Sequence, residues 1–278
     1  MMFIQEIIRQ TLQVTILVFL MMIVIDFIDV KTRGHFRRLM KGGPWRQYTV
    51  ASFLGATPGC VGAFMNVSMY IHGFLSFGAI VAGMIATSGD EAFVMLAKFP
   101  LQALLLFGIL FVVAIPLGRL SDWLAKLLHI VPCKDCDLHE IHQEENVRGH
   151  YLKEHIWKHI VKRHLWRVLL WTFFALLLVQ LGLRYWELES FVKENMALVL
   201  LLGVLIGIIP ESGPHLIFVM MFADGLIPFS VLLASSISQD GHGMLPLLSY
   251  TVRDTLLIKA FNVGAALLVG GVAYWLGW

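Results

Sequence analysis

The residues of this chain that can do chemistry sit in short polar strings embedded in apolar sequence. Thr87-Ser88-Gly89-Asp90-Glu91 and Gln239-Asp240-Gly241-His242-Gly243 set three carboxylates and one imidazole beside glycines. Carboxylate and imidazole together are ligands for a divalent transition-metal ion, with Mn²⁺, Fe²⁺ and Zn²⁺ all suited and geometry choosing among them. A second pair, Gly55-Ala56-Thr57-Pro58-Gly59-Cys60 and Gly207-Ile208-Ile209-Pro210-Glu211-Ser212-Gly213-Pro214-His215, adds Glu211 and His215. In a helix these two share a face, although Pro214 disturbs it; the alternative is a proline-kinked packing helix whose Glu and His bond to each other. A third string, Cys133-x-x-Cys136-x-x-His139-x-x-His142, offers four soft-to-borderline ligands suited to Zn²⁺. Its spacing is tighter than a zinc finger's, so convergence of all four requires an irregular loop.

The surroundings decide what these strings can be. The chain has 278 residues, 58% hydrophobic and 14% charged, with mean hydropathy +0.76, whereas soluble domains carry about 25% charged residues. It reads as an all-α, polytopic membrane protein, long enough for roughly ten spans of about 20 residues and one modest loop. Apolar stretches cover 11–30, 48–72, 73–88, 92–118, 165–183, 196–223, 225–238 and 244–278. Helix breakers inside them, at Pro58-Gly59, Gly89, Pro210, Gly213-Pro214 and Gly241, predict discontinuous or re-entrant helices, which lipid tolerates only where protein or a wet cavity surrounds them. The organisation is a first transmembrane repeat at 1–118, a Cys/His-rich cytoplasmic loop at 119–164 and a second repeat at 165–278.

Charge orients the chain. Of 21 Lys+Arg, six lie in 31–46 and nine in 119–167, and by the positive-inside rule both stretches face the cytoplasm. Both termini are then external in a multi-pass protein of the cell (cytoplasmic, inner) membrane. The stretch after Thr11–Ile25 has no small-residue cleavage site and reads as a retained span rather than a removed signal. Nucleic acid is excluded as a partner, because no contiguous basic face is present, and three cysteines make no disulfide framework. Within the loop, His150–His164 forms a basic amphipathic segment suited to anionic headgroups, leaving lipid and metal ions as partners. The sequence is compatible with a homodimer and does not decide it.

An offset of 152 aligns Gly55–Leu96 with Gly207–Leu248 without a gap, with ten of 42 positions identical, including Gly55/Gly207, Pro58/Pro210, Gly73/Gly225, Ala82/Ala234 and Gly89/Gly241. Glycine and proline set backbone geometry, so their recurrence argues for a duplicated structure. The same offset lays span 11–30 onto 163–182, which the charge rule sends through the bilayer in the opposite direction. The expectation is two inverted-topology repeats whose breaks meet near the midplane, as in secondary transporters. A charged residue at a span centre costs about 2.5–3.5 kcal/mol, so Asp90, Glu91 and Asp240 are expected to face one another or a cavity. The alternative places them in solvated loops.

The strings PGCVGAF (58–64), FGAIVAGMIATSGDEAFVML (77–96), GIIPESGPHLIF (207–218) and ASSISQDGHGMLPLL (234–248) resemble the bacterial and archaeal ten-span heavy-metal exporters, also described as manganese transporters. The resemblance implies an ion-exporting permease and carries over Pro58, Asp90, Glu91, Pro210, Glu211, His215, Asp240 and His242 as motif positions. The expected function is export of a divalent transition-metal ion by proton-coupled alternating access, the ion being substrate rather than cofactor. The alternative is an organic-anion or arsenical permease, for which Lys98, Arg253 and Lys259 are the available cations. A membrane phosphatase would need an Arg beside Glu211 and Ser212, and a zinc protease a His-Glu-x-x-His; neither is present, so no enzyme is expected.

A peptide spanning 119–164 titrated with Zn²⁺ is expected to bind one equivalent, and Cys133→Ser with Cys136→Ser to abolish it; unchanged binding in the double variant removes the thiols from the site.

Overall fold

The computed structural model describes residues 43–71, 73–129 and 188–278, together with isolated helical positions between 5 and 16 and between 169 and 181. The Cys/His string (Cys133, Cys136, His139, His142), the basic segment 150–164 and most of the spans 11–30 and 165–183 lie outside the described residues, as does His72.

The described chain is all-α. In the first unit, α1 (Pro44–Ala56), α2 (Val61–Ile71), α3 (Phe77–Ile85), α4 (Glu91–Lys98) and α5 (Pro100–Leu127) follow one another. After α6 (Leu188–Glu194) comes a second unit with α7 (Met196–Gly207), α8 (Ser212–Ala223), α9 (Phe229–Ser238), the 3₁₀ turn Gly241–Gly243, α10 (Met244–Tyr250) and α11 (Val252–Trp275). Proline opens α1 and α5, where its missing N–H is no loss. Ser76 caps α3 by accepting from the Ala79 amide, and Thr251 caps α11 by accepting from the Asp254 amide.

Breaks fall at Pro58-Gly59, Gly89, Pro210 and Gly241 as the sequence places them, whereas Gly213-Pro214 lies within α8. At Gly89 (φ 60°) and Gly241 (φ 53°) the backbone enters the left-handed region that L side chains avoid, which accounts for the recurrence of glycine there. The Pro210 break is 208–211, between α7 and α8, and two apolar stretches are divided further: Phe99 separates α4 from α5, and Thr251 separates α10 from α11. Helix α5 also runs past position 118 to Leu127, so the first unit extends into what the sequence reads as the start of the loop. At 1.5 Å rise per residue, α3 is far too short to cross an apolar layer of about 30 Å, whereas α5 exceeds it. Helices α5 and α11 are long and apolar enough to span a bilayer.

Helices α1 and α2 form a hairpin. Its open end is tied to the start of α3, where the Ser76 amide donates to Gln47 Oε1 (3.1 Å). Asp122 near the end of α5 gathers the same end together: Oδ2 accepts from Tyr48 Oη (2.6 Å) and Ser76 Oγ (2.8 Å), and Oδ1 from the Gly78 amide (2.6 Å). The closed end, residues 57–60, turns back beside the α3–α4 break. In the second unit the start of α9 meets the carboxyl-terminal residue in the corresponding way, with the Ser230 amide donating to the Trp278 carbonyl (3.3 Å).

Small residues let the long helices approach. A Cβ added at Gly118 of α5 would overlap Ala82 of α3, and one added at Gly270 of α11 would overlap Ala234 of α9. These are the same contact at an offset of 152, the small-residue crossing that lipid-embedded helices use in place of a hydrophobic driving force. The units interlock reciprocally: α2 packs on α10 while α4 packs on α8, and α3 packs on α11 while α9 packs on α5.

Gly118→Ala and Gly270→Ala are each expected to destabilise the protein by about 1–3 kcal/mol through overpacking. Gly108→Ala, where a Cβ meets nothing within 4 Å, is expected to be neutral or mildly stabilising. Melting of the detergent-solubilised chain checks the contrast, and equal melting of all three variants contradicts it.

Candidate functional site

The site grows out of unsatisfied backbone. Where a helix ends inside the packed interior, its terminal amides and carbonyls need partners. The Gly59 amide donates to the Gly89 carbonyl (2.9 Å) and the Ser88 amide to the Gly55 carbonyl (3.2 Å), so the two breaks of the first unit pair with each other. Gln239 Nε2 then donates to the Thr87 carbonyl (3.0 Å) across the units. Thr87 and Gln239 are equivalent positions, as are Gly89 and Gly241, and a Cβ on Gly241 would lie 3.7 Å from Gly89 Cα. Residues at positions equivalent under the offset are thus in contact, and the α3–α4 and α9–α10 breaks meet there.

This places the acidic residues. Asp90, Glu91 and Asp240 are 5%, 1% and 0% exposed, which removes the solvated-loop alternative. They do not share one set of partners. Asp90 Oδ1 accepts from Cys60 Sγ (3.1 Å), joining the α3–α4 break to the α1–α2 break. Glu91, at the start of α4, meets His215 of the other unit, with Oε1 3.2 Å from Nδ1. The approach is within ion-pair range but is not aligned as a hydrogen bond, so both Glu91 oxygens lack a donor. His215 Nε2 lies 3.0 Å from Ser235 Oγ.

Asp240 sits in a different environment. Its Oδ2 forms an ion pair with Lys259 Nζ of α11, and its Oδ1 accepts from Asn262 Nδ2. Lys259 Nζ also donates to the Gly207 carbonyl at the end of α7 (3.1 Å). Ser212 Oγ, at the start of α8 and buried, has no hydrogen-bond partner. Among the described residues no three His, Cys, Asp or Glu side chains converge closely enough to hold a metal ion. The three acids thus stand at adjoining breaks, Asp90 against Cys60, Glu91 against His215 and Asp240 against Lys259 and Asn262.

The Glu211–His215 pairing is also corrected. Glu211 has extended backbone (φ −149°, ψ 131°) and precedes the first turn of α8, so it shares no helical face with His215, and the two ring nitrogens of His215 face Glu91 and Ser235 instead. His242 lies in the 3₁₀ turn Gly241–Gly243; its side chain is outside the described residues. Pro58 and Pro210 lie in the segments between paired helices, and Gly213 and Pro214 fall in the first turn of α8, where proline is tolerated. Cys60, Asn262 and Gln239 are missing from the sequence-based site. The offset itself points to Gln239 as the equivalent of Thr87, and Cys60 stands in a quoted break; Asn262 carries no local signal.

The two ends of the assembly are closed by equivalent contacts of different chemistry. Tyr70, ending α2, donates from Oη to Asp254 Oδ2 (2.7 Å) at the start of α11. Its equivalent, Phe222, ends α8 and packs edge-to-face on Phe99 at the start of α5, with centroids 4.9 Å apart. Phe229 and Trp278 continue this aromatic row. In the adjoining turn, burial pushes the Asp224 carboxyl up and the Lys98 ammonium opposes it.

A helical membrane protein with paired chain breaks holding buried acids is the class this architecture defines. The chain belongs to the family described as "Putative, 10TM heavy-metal exporter", which matches residues 2–175 and 127–277. Such a family is one of transporters, not an enzyme class. No curated protein and no solved structure matches the chain.

Removing one member of a buried polar pair leaves the other desolvated without that neighbour, at a cost of about 1–3 kcal/mol. His215→Ala is expected to destabilise by about that much, and Glu91→Gln in the same chain to restore most of it. Unfolding of the two single variants and the double variant measures the coupling, and simple additivity would show that the pair is not one.

Proposed function

We propose that the chain exports a divalent transition-metal ion of the Mn²⁺, Fe²⁺ or Zn²⁺ class across the cell membrane, in exchange for protons, by alternating access of two inverted units. The observation that carries this reading is the Glu91 carboxylate. It is buried at the junction of the units beside an imidazole, and neither oxygen has a hydrogen-bond donor. Oxygen and nitrogen lone pairs held in that way are the donor set of a borderline divalent cation, and Asp90 with Cys60 supplies a carboxylate and a thiol from the adjoining break.

Alternating access is supported by the reciprocal packing and by the two end contacts. On the charge rule α1 starts at the cytoplasmic side, which assigns Tyr70–Asp254 to that face and the Phe99–Phe222–Phe229–Trp278 row to the outer one. Each contact joins one unit to the other, so a rocking of the units opens one as the other closes. Protons enter because carboxylate and imidazole bind a metal ion only when deprotonated, so metal release and proton uptake compete for the same lone pairs. Both termini are then external. The excess of buried acid favours a cation over the organic anion or arsenical alternative, since Lys259 is already matched by Asp240.

Proteoliposomes loaded with Mn²⁺ or Zn²⁺ under a pH gradient test the reading. Wild type is expected to move at least one of the ions with a dependence on the gradient, and Asp90→Asn to slow that flux by about tenfold or more. Equal, gradient-independent flux in both would remove the site from the transport pathway.

A further inference from the structure

The two units build the same break with different chemistry, and the first serves as a control for the second. In the first unit the carbonyl of Gly55, near the end of α1, is satisfied by the Ser88 amide (3.2 Å). In the second the equivalent Gly207 carbonyl is satisfied by Lys259 Nζ (3.1 Å), whose ammonium also pairs with Asp240, itself held by Asn262. At an offset of 152 the positions of Asp240, Lys259 and Asn262 are occupied by Ser88, Phe107 and Leu110, all buried. The fold therefore satisfies this carbonyl without an ammonium. A buried ion pair is in general no more stabilising than well-packed apolar residues in its place, so stability does not account for Lys259 and Asp240.

Their position does. Asp240 stands between Gln239, which donates to the Thr87 carbonyl, and Gly241, which abuts Gly89. It is thus one residue from the contact between the units, on whose other side Asp90 and Glu91 follow Gly89. When ionised, Asp90, Glu91 and Asp240 carry three negative charges, and Lys259 reduces the sum to two, which one divalent cation neutralises. The ammonium also has a second acceptor in the Gly207 carbonyl, which would retain it on leaving the carboxylate.

We propose that Lys259 is a tethered cation that occupies Asp240 in the absence of cargo and is displaced from it, onto the Gly207 carbonyl, when a divalent cation enters beside Asp90 and Glu91. A doubly charged ion interacts with the carboxylate twice as strongly as the ammonium at equal distance, which gives the exchange its direction and disfavours monovalent ions. Return of Lys259 to Asp240 then helps to expel the cargo. This inference rests on the divalent-cation reading above.

The test uses the full chain, with Mn²⁺ and Zn²⁺ as probes, in calorimetric binding and in proteoliposome flux. Lys259→Gln removes the competitor and is expected to bind the ion about tenfold or more tightly while exporting it more slowly; unchanged or weaker binding overturns the proposal. Should that variant not fold, Asp240→Asn with Lys259→Gln replaces the pair by neutral residues that the Ser88, Phe107 and Leu110 arrangement shows the fold can accept. The double variant is expected to melt near wild type and to lose flux by about tenfold or more; retained flux makes the pair structural and overturns the proposal. A wild-type chain that neither binds nor moves either ion overturns the divalent-cation reading itself, and this one with it.

Discussion

A helix interrupted in a low-dielectric interior leaves amides and carbonyls that water cannot reach, at a cost of several kcal/mol each if unpaired. The architecture answers that demand by setting breaks against breaks. Gly59 donates to the Gly89 carbonyl, Ser88 to that of Gly55, Gln239 to that of Thr87 and Lys259 to that of Gly207. Because each break is satisfied by another segment, the interrupted parts of both units are drawn to one locus. The acids reach the interior by the same route, since Asp90 and Asp240 each adjoin a glycine that makes the turn and Glu91 follows Asp90.

Bringing backbone that close requires side chains to be absent. The Gly118–Ala82 and Gly270–Ala234 crossings remove the steric barrier between long and short helices, and in lipid this close packing holds helices together. Three of the ten identical pairs serve such contacts. Gly89 and Gly241 supply the left-handed turn, Ala82 and Ala234 the crossing, and Gly55 and Gly207 the approach to the next break. Elsewhere the halves diverge freely, because an apolar residue facing lipid or core is replaceable by another.

Divergence at the centre matters more than similarity. The first unit contributes Cys60, Asp90 and Glu91, and the second contributes His215 and the Asp240–Lys259–Asn262 group. The place equivalent to Glu91–His215 is a bare contact of Gly243 on Ala63. The same order of helices thus carries a one-sided arrangement of charge. The ends differ in the same way, one closed by a tyrosine–aspartate hydrogen bond and the other by stacked aromatic rings.

The sequence by itself determined the all-α membrane class, the breaks at Pro58-Gly59, Gly89, Pro210 and Gly241 and the polar strings beside them, because apolar composition, glycine and proline act locally and are readable residue by residue. The family followed from the same strings. What only the tertiary structure decided is pairing. Glu91 meets His215, Glu211 stands outside the helix that would have aligned it, and Asp240 is matched by Lys259 and Asn262 from α11. Those partners are up to 124 residues apart, and no periodicity encodes which buried charge finds which. That choice is made by helix packing, where a crossing set by Gly118 or Gly270 fixes what each side chain can reach.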